Sequence, residues 1–162
     1  CISCHNGAYF SDGEPHNTGV PENMEIFKDP MRHLTYRSVI HTHGVPKMGV
    51  WRRDVGYFEV SKNYGDVGKF VTPTLRELNY TGPYMHNGMF ATLAEVVEFY
   101  DQGGGQDDPL AAELQPLGLT IEERANLVEF LESLSSVTPV TVEPLKVPQA
   151  YKPIENWLEV TN

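Results

Sequence analysis

Five residues, Cys1-Ile2-Ser3-Cys4-His5, constrain this chain more than anything that follows them. They fit C-x-x-C-H, the signature of covalent haem attachment. Two thiols at this spacing add across the two vinyl groups on one edge of a porphyrin. The histidine directly after them is then carried beneath the iron, where its imidazole becomes the proximal ligand. Three other readings compete. A disulfide between Cys1 and Cys4 leaves His5 idle. A zinc site wants two further Cys or His ligands at short spacing. A thioredoxin-type site wants a strand before it and a helix after it. The chain of 162 residues has no other cysteine, so one covalent haem c on Cys1, Cys4 and His5 is the expectation carried forward.

A porphyrin also accounts for the front third of the chain. Residues 6–54 read mostly as loop, punctuated by Gly7, Asp12-Gly13, Pro15, Asn17, Gly19, Pro21 and Pro30. Loops this long are uncommon unless they hold a cofactor or a binding surface. Haem supplies the missing core, because side chains pack on its two apolar faces. Val55–Val60 and Phe70–Leu75 read as a short hairpin around Asn63-Tyr64-Gly65-Asp66.

The helices are better marked. Thr92-Leu93-Ala94-Glu95 is a capping box, and Leu93, Val96, Val97 and Tyr100 follow on one face. Gly103-Gly104-Gly105 stops that helix. Asp108-Pro109 reads as the opening of a short helical turn. Thr120-Ile121-Glu122-Glu123 is a second capping box, with Leu127, Val128, Leu131 and Leu134 as its apolar stripe and Ser135-Ser136 as its end. From Val137 onward Pro139, Pro144, Pro148 and Pro153 recur, and Tyr151, Trp157 and Leu158 lie near the end. This segment reads as an extended arm that lies along a partner, against the alternative of a flexible tail. The fold class expected is mainly α with long loops and a short β-hairpin, a cytochrome c-like haem domain. Its bounds are 1–136, with an inserted loop at about 24–50 and a Pro-rich extended arm at 137–162.

The formal net charge of −10 argues against nucleic acid, whose phosphates would repel this surface. It argues equally against docking on an anionic membrane face. It fits partners that present a basic patch, or acidity that serves solubility alone. No apolar run is long enough for a transmembrane segment. Haem c is attached after export, so a periplasmic or otherwise extracytoplasmic, bacterial-type location is expected, together with further chain before Cys1.

Three blocks carry a resemblance. They are Thr72-Pro73-Thr74-Leu75-Arg76, Thr81-Gly82-Pro83-Tyr84-Met85-His86-Asn87-Gly88, and Ala91-Thr92-Leu93 continuing through Val96 to Tyr100. Together they resemble the C-terminal haem domain of the bacterial di-haem cytochrome c peroxidases and the related MauG proteins. The likeness runs from Cys1 through Gly105 and continues weakly to about Ser135. It does not cover residues 24–50 or the Pro-rich arm. Such proteins have two haem domains. The N-terminal haem meets hydrogen peroxide, and the C-terminal haem stores or relays electrons.

The second axial ligand is sought among His16, His33, His41, His43, Met48, Met85, His86, Met89 and Tyr100. The resemblance implies a ligand from the helix after the P-Y-M-H-N-G block. It is methionine at the end of that helix in the peroxidases and tyrosine in MauG-type members. Counting along the chain puts Tyr100 there, on the face it shares with Leu93, Val96 and Val97. A core tyrosine with its hydroxyl hydrogen-bonded is the alternative. A thioether is soft and favours ferrous iron, whereas a phenolate is a hard anion and favours oxidised iron. Tyr100 therefore implies a store of oxidising equivalents rather than a ready ferrous donor.

Other roles follow from the same resemblance. His86 is implied to lie near the haem and the domain interface, against the alternative of a turn histidine. Arg76 is read as a partner for a haem propionate or as a surface arginine. The backbone carbonyls of Thr81 and Pro83 match positions that help bind Ca²⁺ between the two domains, with another ligand from the N-terminal domain. His41 and His43 read as exposed loop histidines in preference to a metal site.

The implied function is a haem c redox domain of a MauG-like or peroxidase-like protein. It would serve peroxide reduction at a second haem in another domain or subunit. The redox partner would be a cytochrome, a copper protein or a side chain of a protein substrate. A mono-haem electron-transfer subunit without peroxidase activity is the alternative. A zinc- or disulfide-stabilised binding module is a third.

Overall fold

A computed structural model describes residues 1–28, 54–106 and 109–139. The expectations on His33, His41, His43 and Met48, and on most of the arm including Tyr151, Trp157 and Leu158, lie outside the described residues. The elements in order are strand β1 (Pro15–His16), a 3₁₀ turn (Ile26–Lys28), helix α1 (Phe58–Ser61), a 3₁₀ turn (Tyr64–Asp66), strand β2 (Phe70–Val71), a 3₁₀ turn (Leu78–Tyr80), helix α2 (Leu93–Asp101) and helix α3 (Ile121–Ser133). No helix among the described residues is long and apolar enough to cross a membrane.

Both capping boxes form. Thr92 Oγ1 accepts from the Glu95 N–H at 3.3 Å, and the Glu95 carboxylate accepts from the Thr92 N–H at 2.8 Å. Thr120 and Glu123 repeat the arrangement at 3.2 and 2.8 Å. Each helix thus begins with its N-cap and N3 N–H groups satisfied and a carboxylate on its positive end. The backbone N–H groups of Thr92 and Thr120 hold Glu95 and Glu123 below the usual carboxylate range.

The two helices bury one stripe each. Leu93 and Val97 of α2 meet Leu131 of α3, with Leu127, Val128, Leu75, Leu78 and Tyr84 packed around them. The Thr72–Arg76 block therefore feeds Leu75 into the helical core while its other end touches the front of the chain. Ser11 Oγ donates to the Thr72 carbonyl at 2.7 Å, and the Thr72 N–H donates to the Glu14 carbonyl at 3.0 Å.

These bonds explain where the hairpin reading fails. The sheet has two antiparallel strands, but they are β1 and β2, in register Pro15↔Val71 and His16↔Phe70. Residues Val55–Val60 do not form the partner strand. Val55 and Phe58 are both buried, a spacing of three that fits a helical turn and not a strand, and α1 starts at Phe58. Strand β2 is then left to pair with the loop after the cysteines. The helical turn expected at Asp108-Pro109 lies partly outside the described residues, and 109–119 is irregular. Buried Asn17 takes the backbone groups that a helix would use. Its Nδ2 donates to the Pro109 carbonyl at 3.0 Å, and its own carbonyl accepts from the Ala111 N–H at 2.9 Å.

Helix α2 stops at the glycine run as expected. Gln102 caps it, and Gly103 and Gly104 take φ of +90° and +88°. Gly105 serves a second purpose, because its Cα lies directly against the Gly19 carbonyl. Gly105→Ala should therefore cost more stability than Gly118→Ala, although Gly118 has the positive φ (+68°), because a Cβ at Gly118 meets nothing within 4 Å. Leu131→Ala should cost about 2–5 kcal/mol by opening the stripe between α2 and α3. Urea unfolding of the three variants against the parent measures both expectations.

Candidate functional site: the cysteine turn and the helix facing it

The first five residues fold into a tight turn. The Cys4 and His5 N–H groups both donate to the Cys1 carbonyl, at 3.2 and 2.8 Å. Both thiols are free, Cys1 exposed and Cys4 half-buried. Burial pushes the Cys4 thiol pKa up, and the charges of Asp12 and Glu113 add to that.

His5 is fixed by one bond, between Nδ1 and the Phe10 carbonyl at 2.9 Å. A carbonyl has no proton to give, so Nδ1 carries the hydrogen and Nε2 presents its lone pair. A metal-binding imidazole is characteristically oriented by this kind of bond on its other nitrogen. The donor set therefore fits haem c: two free thiols at the attachment spacing, and an imidazole whose Nδ1 is held by a carbonyl while Nε2 is the nitrogen left for coordination.

Tyr100 sits near the end of α2, half-buried, with its ring edge-on to Phe99 at 5.2 Å. Burial pushes its phenol pKa up. The Thr18 side chain, hydrogen-bonded to it, opposes that shift, and the nearby Cys4 reinforces it. The structure thus brings Tyr100 into electrostatic reach of Cys4, 96 positions earlier (100 minus 4). The phenol has a hydrogen-bonding neighbour in Thr18, as a core tyrosine would, and its oxygen keeps lone-pair capacity beyond that bond.

The remaining predicted residues fall as follows. His86 stacks on Phe70, with ring centroids 3.7 Å apart and planes 11° apart. The residue keeps solvent access, but desolvation of its stacked ring holds its pKa below the usual histidine value, with Asp54 opposing. Arg76 directs Nε and Nη2 to the Ala8 carbonyl at 3.2 and 2.8 Å, so the side-on fork that grips a carboxylate is engaged by backbone. Thr81 and Pro83 are exposed on the segment leading to Tyr84. Met85 is half-buried and Met89 lies at the surface. His16 lies beside Cys4, their ligand atoms within 4.8 Å of each other.

Sequence reasoning missed the Asp12–His16 pair. His16 Nε2 and Asp12 Oδ2 are 2.8 Å apart, and ligand atoms of Cys4, Asp12 and His16 all lie within 4.8 Å of one another. Were Cys4 joined to a porphyrin as a thioether, the thiolate a metal would want would be gone and this cluster would be a polar wall beside that sulfur. The only advance signal was the four-residue spacing from Asp12 to His16. The Phe10 carbonyl had no signal at all, because a main-chain acceptor leaves no mark in side-chain identity.

No established family profile matches the chain. Individual relatives match strongly. Cytochrome-c peroxidase IdrP2 of Denitromonas iodatirespirans is 52% identical over 147 residues, which cover 91% of this chain and 37% of that protein. Cytochrome-c peroxidase IdrP1 of the same organism is 46% identical over 156 residues, covering 95% of this chain and 42% of that protein. The methylamine utilization protein MauG of Methylorubrum extorquens is 42% identical over 67 residues, covering 41% of this chain and 19% of that protein. A crystal structure of a MauG-like protein associated with microbial copper homeostasis superposes with a TM-score of 0.61 at 26% identity, covering 85% of this chain and 40% of that one. Fold and relatives together place the chain with proteins named cytochrome-c peroxidase and MauG. The chain belongs to the bacterial di-haem cytochrome c peroxidase/MauG family. It spans about two fifths of the length of the two cytochrome-c peroxidase relatives named above.

One pH dependence follows from the polar wall. The Glu14 N–H, the His16 ring and Thr72 hold the Asp12 carboxyl down at about 2, against an ordinary 3.8. A depressed carboxyl stabilises the fold fully above its ordinary pKa and loses that contribution as pH falls through the folded value. Asp12→Asn should therefore flatten the acid limb of the stability curve between about pH 4 and pH 2 and leave its shape near neutrality unchanged. Denaturant unfolding across that range measures it.

Proposed function

We propose that this chain is the haem c redox domain of a MauG-like, di-haem cytochrome c peroxidase-like protein. It relays or stores oxidising equivalents for the reduction of hydrogen peroxide at a second haem outside this segment. The observation that supports the reading is His5 held through Nδ1 by the Phe10 carbonyl, beside two free thiols at the attachment spacing. Residues 1–136 form the haem domain, and 137–162 form the Pro-rich arm.

Bound haem c supplies a one-electron iron couple. The chain's own residues supply the rest. Cys1 and Cys4 tether the porphyrin edge. His5 presents Nε2, with its proton held on Nδ1 by Phe10. Tyr100 would offer an oxygen donor; burial pushes its phenol pKa up, and Thr18 only partly opposes that. An anionic oxygen ligand favours oxidised iron, which suits a domain that holds oxidising equivalents. His86, stacked on Phe70 beside β1, stands on the side we assign to the domain interface. Thr81 and Pro83 would contribute carbonyl oxygens to a Ca²⁺ shared with the second domain.

The second haem lies in another domain or subunit, the donor is a cytochrome, a copper protein or a protein side chain, and the location is extracytoplasmic. The relatives named as cytochrome c peroxidases and MauG support this reading.

A pyridine haemochrome assay combined with intact mass on the full-length protein tests it. This segment should account for one covalent haem, on Cys1 and Cys4. Tyr100→Phe should abolish the phenolate-to-iron charge-transfer absorption, and Tyr100→Met should raise the midpoint potential, because a thioether favours the ferrous state. Unmodified cysteines would end the haem reading. One haem per full-length protein without peroxide turnover would favour a mono-haem electron-transfer subunit.

A further inference from the structure

The loop after the attachment turn is braced by the Thr72–Arg76 block at two points. One is the Ser11 hydroxyl on the Thr72 carbonyl at 2.7 Å. The other is Arg76, whose Nε and Nη2 both donate to the Ala8 carbonyl, at 3.2 and 2.8 Å. The carbon of the same guanidinium lies 5.4 Å from the centroid of the Phe10 ring. The Phe10 ring also meets Phe130 of α3 edge-on, at 6.4 Å.

Phe10 is an unusual residue to hold so firmly. Its φ is +51°, in the left-handed region that costs a side-chain-bearing residue energy. That strained conformation is where its carbonyl accepts the His5 Nδ1 proton. The loop itself bonds the Phe10 N–H to the Gly7 carbonyl at 3.2 Å and the Ser11 N–H to the Asn6 carbonyl at 3.0 Å, and Arg76 adds a hold from outside it, through the Ala8 carbonyl and the Phe10 ring face.

We propose that Arg76 is a positioning residue for His5. It keeps the Phe10 carbonyl on Nδ1 and thereby sets the orientation and donor strength of Nε2. The inference rests on His5 being the proximal haem ligand. Lysine cannot replace the fork, because an ammonium is a point charge without the plane that bonds one carbonyl twice while covering a ring.

The sign of the effect separates this role from a through-space charge. A firm Nδ1–H bond makes the imidazole a stronger donor and favours ferric iron. Loosening it raises the midpoint potential. A cation acting by charge alone does the reverse, since its removal favours the ferric state and lowers the potential. Arg76→Lys keeps the charge and removes the fork, while Arg76→Gln removes both.

The test is spectroelectrochemical titration of the full-length, haem-bearing protein, with haem per chain counted on every variant. Arg76→Lys should shift the ferric-to-ferrous ratio about tenfold toward ferrous, a rise of about 59 mV for one electron. Phe10→Leu, which removes the ring face, should raise the potential by a smaller amount. It carries the test if Arg76→Lys does not fold. Lys28→Gln, a charge change on the exposed pair with Glu25, should leave the potential unchanged. Full haem content with an unmoved potential in Arg76→Lys and Phe10→Leu overturns the role of Arg76 and leaves His5 ligation standing. A lower potential in Arg76→Gln with none in Arg76→Lys assigns Arg76 to charge alone and also overturns it. Parent protein without haem overturns the reading of His5 itself.

Discussion

The bond from His5 Nδ1 to the Phe10 carbonyl fixes which nitrogen of the imidazole is available and where it faces. Much of the surrounding structure can be understood as holding that carbonyl in place. Phe10 is strained, so the Cys1–Ser11 loop would relax without support. Support comes from the Thr72–Arg76 block, through Ser11, Ala8 and the Phe10 ring. That block is in turn anchored by Leu75 in the core between α2 and α3. The small apolar core of the helices and the geometry of one imidazole are therefore mechanically linked.

The back of the same block is closed with similar care. The Glu77 carboxylate accepts from the Ser136 N–H at 3.2 Å and from its hydroxyl at 2.8 Å, while the Glu77 N–H donates to the Leu134 carbonyl. The end of α3 is thereby sewn to the residue next to Arg76. At the other end of α2, the Gly103–Gly105 run lets the Asn17–Gly19 segment cross at backbone contact distance, with the Gly105 N–H bonded to the Thr18 carbonyl at 3.0 Å. That crossing places Thr18 beside Tyr100. The glycine crossing thus serves Tyr100, whereas His5 meets the Phe10 carbonyl within its own loop.

Local chemistry was legible in the sequence where it depended on neighbours along the chain. The capping boxes at Thr92 and Thr120, the glycine stop after Asp101 and the Leu127, Val128 and Leu131 part of the α3 stripe appear in the structure as read, because each is decided within one or two helical turns, whereas Leu134 caps the helix outside that core. Pairings between distant segments were not legible in that way. Phe70–Val71 carries a strand pattern but nothing that names Pro15–His16 as its partner. Pro109 carries a helix-start pattern that buried Asn17, 92 residues earlier, overrides by taking its carbonyl.

The sequence by itself determined the chemistry on offer: two thiols and a histidine at the spacing that a porphyrin edge requires, and a tyrosine on the apolar face of a capped helix. Residue type and short spacing are enough to specify which atoms can donate to iron. Only the tertiary structure decided how those atoms are held. The tautomer of His5 depends on the carbonyl of a strained residue, and the posture of that residue depends on an arginine 66 positions further on (76 minus 10). Main-chain acceptors and long-range contacts leave no local pattern, so their placement emerges only when the chain has closed on itself.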